Sequence, residues 1–172
     1  MTNGDDMRTN LLGPYRKPPG APEARLAGGT LAFLRGSWTI ERRLVDHRSG
    51  VGGSFTGQAA FLATADPGVL RYEERGELRF GGHAGPARRS LLYRERPGGA
   101  ADVCFADGRE FYRLDLHSGQ WTERYGCEPD EYLVSYLVRG PARVEERWQV
   151  TGPRKDYDSV TTLHRLHVSS LP

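Results

Sequence analysis

Cysteine and long apolar runs are scarce in this 172-residue chain. Its two cysteines, Cys104 and Cys127, form no Cys-x-x-Cys pair, which excludes a disulfide framework and a zinc knuckle. No apolar run approaches the roughly 18 residues that cross a bilayer, and the first ten residues hold no apolar stretch typical of a secretory signal. We therefore expect a cytoplasmic protein with no membrane partner.

A surplus of one charge is also absent, because 24 basic and 22 acidic residues give a formal net charge of +2. The two signs alternate along the chain, as in the Tyr-Glu-Glu-Arg of residues 72–75, and form no basic stripe that would track phosphates. Nucleic acid is therefore not an expected partner.

Common catalytic motifs are missing as well. The chain has no Gly-x-Ser-x-Gly elbow, no P-loop and no dinucleotide-binding glycine motif, which removes the usual support for hydrolase, kinase and dehydrogenase activities. The 5 histidines form no set with metal-ligand spacing, so we expect no metal.

What the chain does have is β periodicity. Residues 1–28 are rich in Pro and Gly and are predicted to form a flexible leader, whereas residues 29–172 are predicted to form one domain that begins with a short helical turn. From Trp38 onward apolar and polar residues alternate. The pattern predicts ten strands, at about residues 36–47, 53–63, 69–80, 88–95, 101–107, 109–117, 120–127, 131–139, 143–151 and 158–168.

The connections between these strands are short enough for chain neighbours to pair antiparallel. Strands in up-and-down order close most easily into a barrel, because closure removes exposed strand edges. The predicted fold is therefore all-β, a closed up-and-down antiparallel β-barrel of about ten strands.

Two features near the ends of the predicted domain resemble the lipocalin and fatty-acid-binding-protein superfamily, the calycins. They are the Gly-Ser-Trp of residues 36–38, which follows the helical turn, and Arg165 in the last strand. The resemblance implies that Trp38 closes one end of the barrel and that Arg165 packs over its indole.

Further motifs resemble an uncharacterised bacterial family of lipocalin-like domains. They are Arg42 and Asp46 in the first strand, Asp-Gly-Arg-Glu-Phe at 107–111, Cys-Glu-Pro-Asp-Glu-Tyr at 127–132 and Gly-Pro-Arg-Lys-Asp-Tyr at 152–157. This resemblance implies a fold and no particular reaction.

Strand alternation predicts which side chains face the barrel interior. Arg42, Glu74 and Tyr132 are inward-facing polar residues to which we assign catalytic or anchoring roles. Lys155 is a fourth candidate, because it is one of only two lysines in the chain; we place it at the barrel mouth, held by Asp156. The predicted substrate-binding residues share the inward parity and are Tyr72, Tyr93, Tyr112, Trp121, Glu123, Tyr125, Tyr136, Glu146 and Trp148.

An aromatic interior with a few ionisable groups is typical of a small-molecule pocket, and the small residues Gly57 and Ala59 would leave space in it. The alternative is a solid core in which Arg42 pairs with Glu74 or Glu146. Lys155 likewise has a simpler interpretation, as part of a charged turn.

The preferred function is a cofactor-independent enzyme, a cyclase or isomerase that acts on a hydrophobic biosynthetic intermediate. The alternatives are a non-catalytic carrier or sensor of an apolar ligand and a purely structural interaction barrel. Haem is one candidate ligand of the carrier, because His164 and His167 lie in the last strand. We expect a small hydrophobic ligand as partner and a monomer or homodimer.

Overall fold

The computed structural model describes Leu26 and residues 28–166, with the backbone alone at Cys127. Nearly all of the predicted leader, and His167, lie outside the described residues. The described part contains the helix α1 (Gly29–Leu34) and ten strands. The strands are β1 (Gly36–Asp46), β2 (Val51–Ala63), β3 (Val69–Phe80), β4 (His83–Glu95), β5 (Ala101–Phe105), β6 (Glu110–Leu114), β7 (Gln120–Cys127), β8 (Asp130–Val138), β9 (Arg143–Thr151) and β10 (Asp156–Arg165). Among the described residues, no helix has the length and apolar character needed to cross a membrane.

The strands form one antiparallel sheet in the order β6-β5-β4-β3-β2-β1-β10-β9-β8-β7. Strands that follow each other in the chain pair with one exception, and β1 also pairs with β10, from Trp38 opposite Arg165 to Asp46 opposite Tyr157. Only β6 and β7 do not pair with each other in the described sheet, and the ring of Tyr112 on β6 lies 5.8 Å from that of Trp121 on β7. The fold prediction is confirmed: the chain is an all-β, up-and-down barrel of ten strands that is nearly closed.

Strand β4 begins five residues earlier than predicted. The Gly-Gly-His-Ala-Gly-Pro segment predicts a loop, but the turn consists of Gly81 and Gly82, whose φ angles of 56° and 82° suit a tight hairpin. Pro86 lies within the strand, which is tolerated because the first half of β4 pairs with β3 and has no β5 partner.

One end of the barrel, called the lower end here, is closed by α1 and a tryptophan. Trp38 is fully buried and donates a hydrogen bond from Nε1 to the carbonyl oxygen of Leu34 at 2.8 Å. The guanidinium of Arg165 lies 4.1 Å from the centre of the indole. It also donates to the backbone carbonyl oxygens of Phe33 and Arg35, so it joins the last strand to the helix.

The glycines opposite each other on β2 and β3 allow these strands to approach closely. Gly57 pairs with Gly76, and a Cβ atom on Gly57 would collide with the carbonyl oxygen of Arg75, as one on Gly76 would with that of Thr56. The expectation that Gly57 creates space for a ligand is therefore wrong, because the absent side chain is replaced by the neighbouring backbone.

The barrel wall is incomplete near the upper end. Strand β5 pairs with β4 only from Leu91 downward, so residues 83–90 have no neighbour on that side. Across the opening stands β7, whose upper part comprises residues 124–127. We call this opening the notch; it is bordered by residues 83–90, the β5–β6 hairpin and residues 124–127.

Candidate functional site

Inward-facing side chains are tightly buried in the lower half of the barrel, whereas those in the upper half range from buried Phe55 to partly exposed Leu78 and Arg89. In the lower half, Ile40, Phe61 and Leu70 are at most 2% exposed. In the upper half, Leu78 and the side chain of Arg89 are 36% and 37% exposed, although both face inward. The lower half is therefore a filled core, and the upper half is open.

The wall of the open half contains an arginine–glutamate cluster. Arg42 on β1 reaches across β2 to Glu74 on β3 and donates two hydrogen bonds of 2.9 Å to its carboxylate. Arg42 Nε donates to the hydroxyl oxygen of Thr161 at 2.8 Å. Arg89 Nη2 lies 3.3 Å from the same carboxylate, and the hydroxyl of Tyr72 donates to it at 2.5 Å.

The protonation states of this cluster follow from burial and charge. Burial by itself would raise the pKa of Glu74, but the hydrogen bonds from Arg42 and the charge of Arg89 outweigh it, so the pKa lies below its usual value. Burial would lower the pKa of Arg89, and the charges of Glu74 and Glu146 raise it instead. Glu74 is therefore a carboxylate at neutral pH, and the cluster carries two cations against one anion.

A second polar network lies lower in the barrel. Glu146 on β9 accepts hydrogen bonds at one oxygen from the hydroxyl of Tyr136, at 2.6 Å, and from Trp148 Nε1, at 2.8 Å. The hydroxyls of Tyr112 and Tyr136 are 2.7 Å apart. Because Tyr136 donates to Glu146, its oxygen accepts from Tyr112.

These tyrosines remain neutral. Burial, followed by the charge of Glu146, raises the pKa of Tyr93 to about 12 and holds the pKa of Tyr136 well above its usual value. Burial likewise raises the pKa of Tyr112. The tyrosines of this network are therefore hydrogen-bond donors at neutral pH.

Aromatic rings line the open half below and opposite the notch. Phe111 stacks on Trp148 with ring centres 5.3 Å apart, and it also contacts Phe105 at 4.5 Å. On the β7 side of the notch, Tyr125 and Tyr132 stack almost in parallel, with centres 5.0 Å apart. Flat rings in these orientations suit a flat apolar molecule.

A bulge explains why Phe111 belongs to this wall. The pairing of β5 with β6 shifts by one residue between Val103 and Cys104, so the consecutive residues Phe111 and Tyr112 both contact Trp148. Strict alternation predicts Tyr112 inward and misses Phe111.

Lys155 lies at the upper rim, as predicted, but its partner differs. Its Nζ is 2.9 Å from Oδ2 of Asp130 and donates to the hydroxyl oxygen of Tyr132 at 2.8 Å. The hydrogen bonds with Tyr132 and Asp130 raise the pKa of Lys155, so the ammonium stays charged. The expectation that Asp156 holds Lys155 is wrong, because the turn at residues 152–155 directs the side chain across to β8.

The predicted site residues thus fall into three groups. Arg42, Glu74 and Tyr72 share one cluster, and Tyr132, Tyr125 and Lys155 form the rim group. The third group is the network around Glu146, with the members Tyr93, Tyr112, Tyr136 and Trp148, and with Trp121 packed against Tyr112. Glu123 faces inward from β7 and has one buried carboxylate oxygen without a partner among the described residues.

Sequence reasoning missed four residues of these groups. Arg89 lies two residues before Leu91 and therefore faces the same side of β4, so strand alternation by itself identifies it as an inward-facing residue. Phe111 depends on the bulge, and Asp130 and Thr161 enter through contacts between strands distant in the chain.

The two histidines proposed as haem ligands do not supply one in the described structure. His164 lies on the outer face of β10 with an exposed side chain, and His167 lies outside the described residues.

Comparison with known proteins gives a family and a fold. A family model described as "Family of unknown function (DUF6314)" matches residues 34–165. No curated protein matches the chain.

Solved structures of similar shape are barrels of low sequence identity. An S-type phycobiliprotein lyase from Guillardia theta is 9% identical, with a TM-score of 0.54, and the match covers 81% of this chain and 92% of the lyase. A protein of unknown function from the DUF3598 family of Nostoc punctiforme is 11% identical, with a TM-score of 0.50, over 80% of this chain and 49% of that protein. A redesigned β-barrel, mFAP1, bound to DFHBI is 12% identical, with a TM-score of 0.42, and the match covers 78% of this chain and 97% of that chain.

Proposed function

Because this chain belongs to DUF6314, a family of unknown function, we propose its function from the site itself: the barrel binds one small, flat and largely apolar molecule in its upper half. The observation that carries the proposal is the exposure of inward-facing Leu78 and Arg89 above a filled core. A solid structural barrel would bury these side chains as completely as it buries Ile40.

The lining supports an apolar, aromatic ligand. Phe105, Phe111 and Trp148 provide faces and edges for ring contacts, while Arg42 and Arg89 provide fixed cations that orient a polar atom. The lowered pKa of Glu74 keeps it ionised at neutral pH, and the raised pKa values of the interior tyrosines keep them neutral. These groups are therefore suited to binding and orientation more than to proton transfer.

The test is to fill the open half. Ala87 faces inward beside the notch and is opposite Gly76, whereas the adjacent Arg88 is exposed on the outer face. We expect the fluorescent probe 8-anilinonaphthalene-1-sulfonate to bind the wild-type protein at one site. Ala87→Trp should abolish this binding, and Arg88→Trp should leave it unchanged. Circular dichroism and thermal unfolding establish that both variants fold. Equal binding by the two variants, or no binding by the wild type, contradicts the proposal.

A cyclase or isomerase acting on a hydrophobic intermediate is a second candidate, and the rim group favours it. The Tyr132 hydroxyl accepts a hydrogen bond from the Lys155 ammonium and donates a long one, of 3.5 Å, to Asp130, so a substrate oxygen placed closer would replace Asp130 as the acceptor. Native mass spectrometry of the purified protein would identify a molecule that travels with it. A carrier returns this molecule unchanged, whereas an enzyme converts it, and Tyr132→Phe should then stop conversion without preventing binding.

We also propose that the family is a branch of the calycins. The contact of Arg165 with the indole of Trp38, and the position of both at the closed end, support this relationship. Crystal structures of other family members with the same tryptophan–arginine contact would strengthen it.

A further inference from the structure

Two buried polar atoms on inward-facing side chains have no hydrogen-bond partner among the described residues. They are Nε of Arg89, a donor, and Oε2 of Glu123, an acceptor. Buried polar groups in folded proteins are nearly always hydrogen-bonded, because leaving one unpaired costs on the order of 1–3 kcal/mol. Two such atoms on inward-facing side chains are therefore available for hydrogen bonds with a bound molecule.

The two atoms lie on strands that flank the notch. Arg89 belongs to the part of β4 without a β5 neighbour, and Glu123 faces inward on β7, opposite Val134. Between the two strands lie the rings of Phe105 and Phe111. A flat molecule seated on these rings would have one end toward β4 and the other toward β7.

The charges on the two sides are opposite and remain apart. Arg42 and Arg89 bring two cations to one side, and Glu74 neutralises one of them. On the other side Glu123 forms no ion pair in the described part of the chain, and Arg89 is bound to Glu74 instead of Glu123. The charge of Glu146 also acts on Arg42 and Arg89, so two glutamates face these two arginines. The open half therefore presents the guanidinium of Arg89 on the β4 side and the side chain of Glu123 on the β7 side.

From this arrangement we propose that the ligand is dipolar. It presents an anionic or carbonyl oxygen to Arg89 and an ammonium or N–H group to Glu123, with a flat apolar body between them. This inference rests on the proposed binding function and names the class of molecule that the site takes.

Four naphthalene probes test the proposal. 6-(Aminomethyl)-2-naphthylacetate carries both polar groups, 2-naphthylacetate carries the acid, 2-(aminomethyl)naphthalene carries the amine, and 2,6-dimethylnaphthalene carries neither. Binding is measured by quenching of tryptophan fluorescence. We expect the wild-type protein to bind the probe with both groups at least about tenfold more tightly than the probe with neither, because each group forms a charge-assisted hydrogen bond.

Two interior variants and two outer variants assign the contacts. Arg89→Gln should weaken the binding of probes that carry the acid by about tenfold. Glu123→Gln should weaken the binding of probes that carry the amine by about tenfold. Arg88→Gln and Glu131→Gln change the same residue types on the outer face and should leave the affinity for all four probes unchanged. If Arg89→Gln does not fold, Glu123→Gln still decides the proposal, because an amide has nearly the same shape as the carboxylate.

The possible failures are distinguishable. If 2,6-dimethylnaphthalene binds the wild type and the polar groups add nothing, the dipolar ligand is overturned and the binding function stands. The same conclusion follows if the amine keeps its advantage in Glu123→Gln. If all four probes and 8-anilinonaphthalene-1-sulfonate fail to bind, both proposals are overturned.

Discussion

Among the single side chains of this protein, Glu74 has the most demanding environment. Its carboxylate accepts hydrogen bonds from Arg42 and Tyr72 and lies against Arg89, while it is only 5% exposed. Removing one partner of a buried ion pair leaves an uncompensated charge, which is costlier than the pair is stabilising. The stability of the upper half therefore depends on this one anion.

This dependence predicts a loss of stability in acid. The pKa of Glu74 is lowered in the folded state, so its contribution is present above its unfolded pKa of about 4.3 and is lost as pH falls through the lower folded value. Glu74→Gln should lower the free energy of unfolding at pH 7 by about 3–5 kcal/mol. It should also flatten the decline of stability with falling pH.

Urea unfolding between pH 7 and pH 3 measures both effects. Glu73→Gln is the control, because Glu73 is half-buried on the outer face, where it pairs with Arg71, and the substitution should change stability by no more than about 0.5 kcal/mol. A Glu74→Gln variant as stable as Glu73→Gln would show that the cluster does not stabilise the fold.

Alternation alone placed Arg42 and Glu74 inside the barrel, and the sequence left open whether Arg42 pairs with Glu74 or Glu146. The structure shows that it pairs with Glu74. The sequence could not name Asp130 as the partner of Lys155, because their contact joins β8 to the turn before β10. Which side chains meet across an interior depends on the register of several strands, and no short sequence window contains that information.

Among the strands, β2 and β3 are the pair most constrained by glycine. Gly57 and Gly76 lie opposite each other where the backbones approach too closely for a Cβ atom. Gly57 lies on β2 between the level of Arg42 on β1 and the level of Glu74 on β3, whose side chains meet across β2. The glycine pair is therefore adjacent to the arginine–glutamate cluster.

A single methyl group tests this constraint. Gly57→Ala should lower the free energy of unfolding by about 3 kcal/mol, because the new Cβ atom displaces the backbone of β3. Gly85→Ala is the matched control: Gly85 also lies in a strand, but a Cβ atom there would meet nothing within 4 Å. Its effect should stay within about 0.5 kcal/mol. Thermal or urea unfolding makes the comparison, and equal stabilities would contradict the close approach of the two backbones.

As a unit, the barrel combines a rigid lower half with an incomplete upper wall. Strands β6 and β7 leave their facing edges without backbone pairing in the described sheet, and aromatic rings span the space between them. Backbone amides without a strand partner open to solvent more readily than amides paired on both sides. The notch and this unpaired seam are therefore expected to be the most mobile part of the barrel and the route by which a ligand enters.

Hydrogen exchange measures this difference directly. Amides of β1 and β10, which are paired on both sides, should exchange slowest, and the amides of β6 and β7 that face each other should exchange fastest among the strands. Adding a probe that binds the open half should slow exchange at residues 124–127 more than in β1. Equal protection of β6, β7 and β1 in the free protein would show that the seam is as firmly paired as the rest of the sheet.

Side-chain alternation and short connections were enough to establish the number of strands, their order and most of the residues that face inward. Both are local properties: the strand backbone itself sends successive side chains to opposite faces, and a short turn pairs strands that are neighbours in the chain. Three features depended on the folded barrel as a whole, namely the bulge that turns Phe111 inward, the contact of Arg89 with Glu74 and the opening above a filled core. Their geometry is set by the tilt and register of all ten strands together, so it arises only when the sheet curves round on itself.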